Sequence, residues 1–240
     1  MKQWTYEPAH DVALEPSQRW RSVHRESGLS ERIVQGMWWA AMHGWLLLWH
    51  RLRVEGWEHL PQRAPFVLVA NHTSHLDALL LASALPRKLR RVVLPIAAGD
   101  TFFDTPTVAA FAAWCLNALP LWRKNAGRHA LDQLRQRLLA EPCGYILFPE
   151  GTRSRDGEMG HFRGGIGMLV AGADVPVVPC YIRGGHEAWP PDRRLPRPRK
   201  ISVVIGTPLN FQSISNDRDG WDLVARQTEA AVRELRPQMG

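Results

Sequence analysis

The sequence predicts an α/β domain: a mostly parallel mixed sheet of about seven strands flanked by helices, with an apolar helical segment in front of it. Three observations point that way. Short apolar, β-branched runs alternate with longer stretches of helical spacing from Leu52 onward, the pattern of strands and helices layered around one sheet. The 240 residues are 45% hydrophobic and 22% charged, which suits one globular domain large enough to bury a core without disulfide or metal staples. Tryptophan is unevenly spread: Trp4, Trp20, Trp38, Trp39, Trp45, Trp49 and Trp57 fall in the first 57 positions, out of 11 in the chain.

Taken in order, residues 1–30 are polar, carry Pro8, Pro16 and Gly28, and lack periodicity, so they read as an arm. Glu7, Asp11 and Glu15 stand where a secretory signal needs a basic patch and an apolar run. Residues 31–56 form a Trp-rich helical segment whose apolar part runs from Ile33 to Trp49, between Arg32 and the Arg51/Arg53 pair. At 1.5 Å per residue it reaches roughly 25 Å, short of a hydrocarbon core of roughly 30 Å, and Gln35 and His43 interrupt it. Lying in one leaflet is therefore the expectation, since Trp favours membrane interfaces and is costly to bury fully; a buried core helix is the alternative. From 57 to 240 the chain reads as a single domain. The strand candidates are Leu52–Glu55, Pro65–Ala70, Arg91–Ile96, Leu116–Trp122, Gly144–Phe148, Val175–Ile182 and Ile201–Ile205. Between them HLDALLLASAL, RHALDQLRQRLLA and GGIGMLVAGA have helical length and spacing. In the second, Leu131, Leu134 and Leu138 share a face while Arg128, Asp132 and Arg135 point elsewhere.

In a parallel sheet the chemistry gathers in loops just past the C-terminal ends of strands. The apolar run PFVLVA at 65–70 stops abruptly at Asn71-His72-Thr73-Ser74-His75-Leu76-Asp77. There a carboxylate on the first turn of the next helix can fold back on an imidazole in the turn. Asp77 would accept a hydrogen bond from one ring nitrogen of His72, fix the tautomer and leave the other nitrogen as a general base. The nucleophilic hydroxyl would come from the substrate. Thr73 or Ser74 is a candidate helix cap. His72, His75 and Asp77 could instead begin a metal site, but no second cluster supplies further ligands, so no metal is expected. GYILF at 144–148 leads into Pro149-Glu150-Gly151-Thr152-Arg153-Ser154. Gly151 and Thr152 can present backbone N–H groups to an oxygen anion, and Arg153 offers a planar fork suited to phosphate; a plain Arg153–Glu150 loop salt bridge is the simpler reading. Leu119–Leu121 likewise runs into Trp122, Arg123 and Lys124. One pocket with a base and several cations fits an anionic substrate bearing a hydroxyl.

The formal charge of +7 predicts an anionic partner. Nucleic acid is not expected: the most basic stretch, Pro190–Lys200, has four Arg and one Lys among four Pro and cannot form a recognition helix. A loop touching an anionic membrane surface is the simpler account. Cys115, Cys143 and Cys180 contain no C-x-x-C pair and read as small hydrophobes in a reducing compartment.

NHTSHLD at 71–77 resembles the N-H-x4-D motif of the glycerophospholipid acyltransferases, the PlsC-like superfamily, and FPEGTRS at 148–154 resembles that family's third motif. LPLWR at 119–123 is similar to the second motif, VPVVPC at 175–180 to the fourth, and Phe162-Arg163-Gly164-Gly165 to the stretch following the third. The resemblance covers about 57–210. It implies acyl transfer from acyl-CoA or acyl carrier protein, as co-substrate, to a lipid hydroxyl without bound cofactor. The acceptor it favours is a lysophospholipid, 1-acyl-sn-glycerol-3-phosphate first, giving phosphatidic acid; another lyso-lipid, a lyso-aminolipid or glycolipid, is the alternative, and a metal-dependent hydrolase a more distant one. By the same resemblance His72 is the base, Asp77 orients it, Arg123 and Arg153 hold the acceptor phosphate, and Glu150, Gly151 and Thr152 shape that pocket. Segment 31–56 would then supply a peripheral or monotopic anchor on the cytoplasmic face of the cell membrane.

Overall fold

The computed structural model of the chain describes residues 29–98, 115–121 and 127–236, together with positions 15, 22, 109 and 112. Most of the arm expected over 1–30, and Arg123 with its neighbours Trp122 and Lys124, lie outside the described residues.

Seven strands form one sheet. They are β1 (Arg53–Glu55), β2 (Phe66–Ala70), β3 (Val93–Ala98), β4 (Leu119–Leu121), β5 (Gly144–Leu147), β6 (Val177–Arg183) and β7 (Ser202–Ile205), each overlapping one of the seven predicted runs. Their order across the sheet is β1-β7-β6-β2-β5-β3-β4. Neighbours run parallel throughout except for β6 and β7, which are antiparallel. β2 is flanked by β5 (Val67 opposite Tyr145) and β6 (Val67 opposite Val177), and all five of its residues are buried. Alternate β2 side chains enter different cores. Phe66, Leu68 and Ala70 pack on one face with α1 (Leu29–Trp49) and α2 (Asp77–Ala84); Val67 and Val69 pack on the other with α4 (Gly127–Ala140), α5 (Gly165–Val170) and α7 (Arg218–Glu234). A strand covered on both faces has no polar side, hence the uninterrupted apolar run. Among the described residues the remaining short helices are α3 (Arg87–Arg90) and α6 (Gly185–Ala188), with a 3₁₀ turn at Trp57–His59. The predicted helices at 75–85, 128–140 and 164–173 appear as α2, α4 and α5; α7, which the sequence pattern did not announce, is capped by Asp217, whose carboxylate accepts from Gly220 N.

One face of the Trp-rich helix is packed against the domain, as the buried-helix alternative expects, and the other is exposed. Its inner face carries Trp39 and Leu46, which are buried, with Trp38, Met42 and Trp45 packed against the same core. The outer face exposes Ile33, Val34, Met37, Leu47, Leu48 and Trp49. Three of the helix's four tryptophans, Trp38, Trp39 and Trp45, therefore turn inward, and aliphatic side chains dominate the outer face. The helix is tied to α2 by His43 Nδ1 at 2.6 Å from Ser83 Oγ. Arg90 also donates to the carbonyls of Ala82, Ser83 and Leu85 while its guanidinium lies 5.1 Å from the Trp39 ring. No helix among the described residues is long and apolar enough to cross a membrane. Arg53–Glu55, the tail of the 31–56 segment, belong to the sheet, pairing with Ser202–Val204.

Candidate active site

The ladder between β2 and β6 is extended one step by a side chain. Asn71 Nδ2 donates to Ile182 O at 3.0 Å and Ile182 N donates to Asn71 Oδ1 at 2.8 Å, so a buried amide takes the place of a backbone peptide and lets the chain leave the sheet at a fixed point. Immediately after it, Asp77 at the start of α2 reaches back. Its Oδ2 accepts three hydrogen bonds: from His72 Nδ1 at 2.8 Å, Thr73 N at 2.7 Å and Ser74 N at 2.8 Å. A fully buried oxygen with three donors around it is an acceptor, so Nδ1 carries the proton and Nε2 keeps its lone pair. Thr73 and Ser74 do not cap the helix with their side chains; their backbone N–H groups donate to this carboxylate instead. The helix starts at Asp77, with Leu76 at its N-cap position and no side-chain cap, and Ser74 Oγ accepts from Leu76 N within the turn.

The second loop locks the imidazole from the other side. Phe148 stacks on the His72 ring with centroids 4.2 Å apart and planes 17° apart. Glu150, buried, accepts from His72 N at 2.6 Å through Oε1 and from Gly160 N at 2.9 Å through Oε2, and Ser154 N donates to His72 O at 2.8 Å. Glu150 is therefore a brace between two loops. It makes no salt bridge with Arg153, and its contribution to the pocket is indirect. Burial pushes its carboxyl above the ordinary glutamate value, against the pull of those two backbone N–H groups.

His72 opens into a cavity of about 840 Å³. Its polar end is set by His72, Ser74, Gly151, Thr152 and Arg153; its walls are apolar, with Trp38, Met42 and Trp45 of α1 on one side and Ile96, Leu121 and Leu147 of the sheet on another. Nε2 of His72 takes no partner among the described residues. Arg153 rests on the His75 ring, its Nη1 contacting Nδ1 and lying 2.9 Å from Nε2; Nε and Nη2 take no partner among the described residues and can serve a bidentate anion. His75 is held in turn by Trp189, 5.0 Å away centroid to centroid, whose carbonyl accepts from His75 N. A guanidinium against His75 occupies the ground a second cation would need, which argues against metal ligation by the His72, His75 and Asp77 trio; no three His, Cys, Asp or Glu side chains converge as a metal site among the described residues.

The structure thus gathers His72, Asp77, Glu150, Gly151, Thr152 and Arg153 in one place. It adds Asn71, Phe148, His75 and Trp189, and the α1 residues that wall the cavity. Phe148 and Asn71 sit inside the two signature runs and were legible as neighbours of a site; Trp189 and the α1 residues are remote in sequence and carry no local signal.

His75 gives this site a pH dependence. Burial first, and then the Arg153 charge, hold its imidazole below the ordinary value of 6.5. The unfolded chain therefore binds this proton before the folded chain does, and stability falls as pH drops through the unfolded value. Burial lowers His43 and His50 too, and they act in the same direction, so a difference is the readout. Between about pH 7 and about pH 5 the thermal midpoint of His75→Gln should decline less than that of the parent. Parallel declines would remove His75 from this account.

Comparison with known proteins is consistent over most of the chain. Residues 51–183 match the profile of the Acyltransferase family. The 1-acyl-sn-glycerol-3-phosphate acyltransferase alpha of Homo sapiens is 34% identical over 169 residues, which cover 70% of this chain and 58% of that protein. The mouse protein of the same name is 28% identical over 179 residues, covering 73% and 61%. The chain thus spans about three fifths of the length of these relatives. The crystal structure of the 1-acyl-sn-glycerophosphate acyltransferase PlsC from Thermotoga maritima superposes with a TM-score of 0.66 at 26% identity, covering 88% of this chain and 81% of that one.

Proposed function

The chain belongs to the acyltransferase family, the PlsC-like glycerophospholipid acyltransferases, and from that premise we propose that it moves a fatty acyl group from acyl-CoA or acyl carrier protein to the free hydroxyl of a lysophospholipid, 1-acyl-sn-glycerol-3-phosphate foremost. The observation that carries the reading is the free Nε2 of an Asp77-oriented His72 at the polar end of a largely apolar cavity, with Arg153 beside it.

In this reaction Nε2 takes the acceptor's hydroxyl proton as the oxygen attacks the thioester carbonyl. The C–S bond then breaks, and the proton passes from the imidazolium to the leaving thiolate. Asp77 holds the tautomer through both steps and balances the imidazolium charge. Phe148 and the Glu150 brace keep the ring from turning. The unengaged edge of Arg153 receives the acceptor phosphate, and the apolar walls receive acyl chains. The outer face of α1 offers an aliphatic surface free of charged side chains from Ile33 to Trp49, suited to lying in one leaflet. This supports peripheral association with the cytoplasmic face of the cell membrane, where soluble acyl donors are available and the acceptor can enter sideways from the bilayer.

A panel of lyso-lipids offered with each donor, with products identified by mass spectrometry, tests the reading. Lysophosphatidic acid should be the best acceptor. Arg153→Ala should raise its KM roughly thirtyfold, the ~2 kcal/mol of a charge-assisted contact, and leave the donor's KM within about twofold. A uniform loss for both substrates would dismiss Arg153 as the phosphate ligand, and a preference for an acceptor without phosphate would move the reading to another lyso-lipid.

A further inference from the structure

A second cleft, of about 690 Å³, lies at the edge of the sheet and plays no part in the reaction above. Its floor is a row across three adjacent strands: Arg53 of β1 stands opposite Ser202 of β7, and Ser202 opposite Arg183 of β6. Residues level with one another on neighbouring strands project to the same face. Two strand spacings put the arginine backbones about 10 Å apart astride the Ser202 hydroxyl, a span that two guanidinium forks can close over one tetrahedral anion. Arg51, Arg199 and Lys200 complete the rim, with Glu55 and Glu187 as the acidic members.

The cluster is held by backbone. Arg53 N donates to Ile201 O at 3.0 Å, and Ile201 N to His50 O at 3.1 Å. Gly184, with φ of 82°, turns so tightly that a Cβ there would lie 2.2 Å from Lys200 O; only glycine lets the segment carrying Arg199 and Lys200 press against the end of β6. Like charges gathered this way repel one another, and among the described residues none of the five cations is drawn into an ion pair. An arrangement that spends stability to hold unpaired cations together calls for an anion from outside.

Position narrows its chemistry. β6 runs parallel to β2, β7 antiparallel to β6, and β1 parallel to β7, so Arg183, Ser202 and Arg53 all lie at the end of the sheet where His72 follows β2. The segment from Gly184 to Lys200 separates the two sites, giving Trp189 and Pro196 to the catalytic cavity and Glu187, Arg199 and Lys200 to the cleft. We propose that the Arg53–Ser202–Arg183 cleft is a second phosphate-binding site, distinct from the one at Arg153, that engages a phosphate group while the catalytic cavity is occupied. The phosphate is carried either by an anionic lipid headgroup or by the nucleotide end of a soluble acyl donor. The site itself stands on the geometry; only these two sources rest on the proposed acyl transfer, and the test reads binding, so loss of that reading would not be mistaken for loss of the site.

Two arms separate the sources, using the full chain, Arg53→Gln/Arg183→Gln and Ser202→Asp. In the first, flotation compares phosphatidylcholine vesicles with vesicles containing phosphatidylglycerol; in the second, titration calorimetry uses adenosine 3′,5′-bisphosphate, the nucleotide end of coenzyme A without its thiol. In one arm the double variant should bind at least about tenfold more weakly than the parent, and added salt should erase the difference. Binding to phosphatidylcholine alone should be unchanged. The arm that responds names the source. Ser202→Asp puts a carboxylate between the two arginines; it should keep or raise the thermal midpoint and weaken the same arm, and it decides the matter if the double variant does not fold. The proposal is overturned if both arms stay within about threefold of the parent, or if binding to neutral vesicles falls in step with binding to anionic ones.

Discussion

Replacing His72 with alanine should lower acyl transfer by about 10²- to 10⁴-fold, the contribution of a positioned general base, with the fold intact. The geometry makes this variant clean. The ring is 23% exposed and lines the cavity, so its removal enlarges an existing cavity and leaves no closed void in the core. The backbone at 72 stays fixed because Glu150 and Ser154 hold its N–H and carbonyl independently of the side chain. Asp77→Ala is the contrasting experiment. It removes the same orientation of the base, but it also strips the acceptor from two buried donors, Thr73 N and Ser74 N, at a cost of about 1–3 kcal/mol for each left unpaired. Activity and melting should therefore fall together in Asp77→Ala, while only activity falls in His72→Ala. Steady-state turnover beside a thermal melt separates them. A His72→Ala protein within tenfold of the parent's rate, melting at the same temperature, would rule out the base mechanism.

Legibility of this site followed from which interactions carry a side-chain letter. His72 and Asp77 stand at the end of a run whose burial on both faces leaves no polar position, so the sudden cluster was visible. Glu150 was visible as a residue and opaque as a role: its partners are the backbone N–H groups of His72 and Gly160, and a backbone donor looks the same in every residue. Arg153 was readable as a cation for the site, whereas its resting place on His75 depends on a loop-to-loop approach. The α1 helix shows a different limit. Because both of its faces are apolar, periodicity could not say which one meets the domain, and the side that took Trp38, Trp39 and Trp45 was decided by the space above α2. At the sheet's edge, the antiparallel pairing of β6 with β7 is set by the path of the 184–200 segment rather than by the strands themselves. The C-terminal helix α7 left a weaker trace, Trp221, Val224, Ala225, Thr228 and Val232 at helical spacing among seven charged residues out of 17.

That helix governs a large stability effect to be expected from a single residue. Gly167 sits in α5 where α5 and α7 meet, and a Cβ added there would lie 2.2 Å from Trp221 Cα and 2.5 Å from Trp221 O. Both obstacles are main chain within a helix, so no rotamer change relieves the clash, and the two helices must part. Alanine's better helix propensity, about 1 kcal/mol over glycine, works in the opposite direction and is outweighed: parting α5 from α7 loosens Ile166, Leu169 and Val170 against Val224 and Val232 in the second core. We expect Gly167→Ala to cost about 3 kcal/mol, at the upper end of overpacking penalties, which for a chain of this size lowers the thermal midpoint by roughly 10 °C. The damage should reach the site. Glu229 on α7 accepts from Phe162 N at 2.8 Å and Arg233 donates to Met159 O at 3.1 Å, so α7 anchors the loop whose Gly160 N is held by Glu150, and Glu150 in turn holds His72. Turnover should therefore decline below the melting transition as well. Gly44→Ala is the control, since nothing lies within 4 Å of the added carbon in α1 and propensity alone predicts a gain of about 0.5–1 kcal/mol. If Gly167→Ala melts within about 2 °C of the parent, the close approach of α5 and α7 is not what holds this side of the domain together.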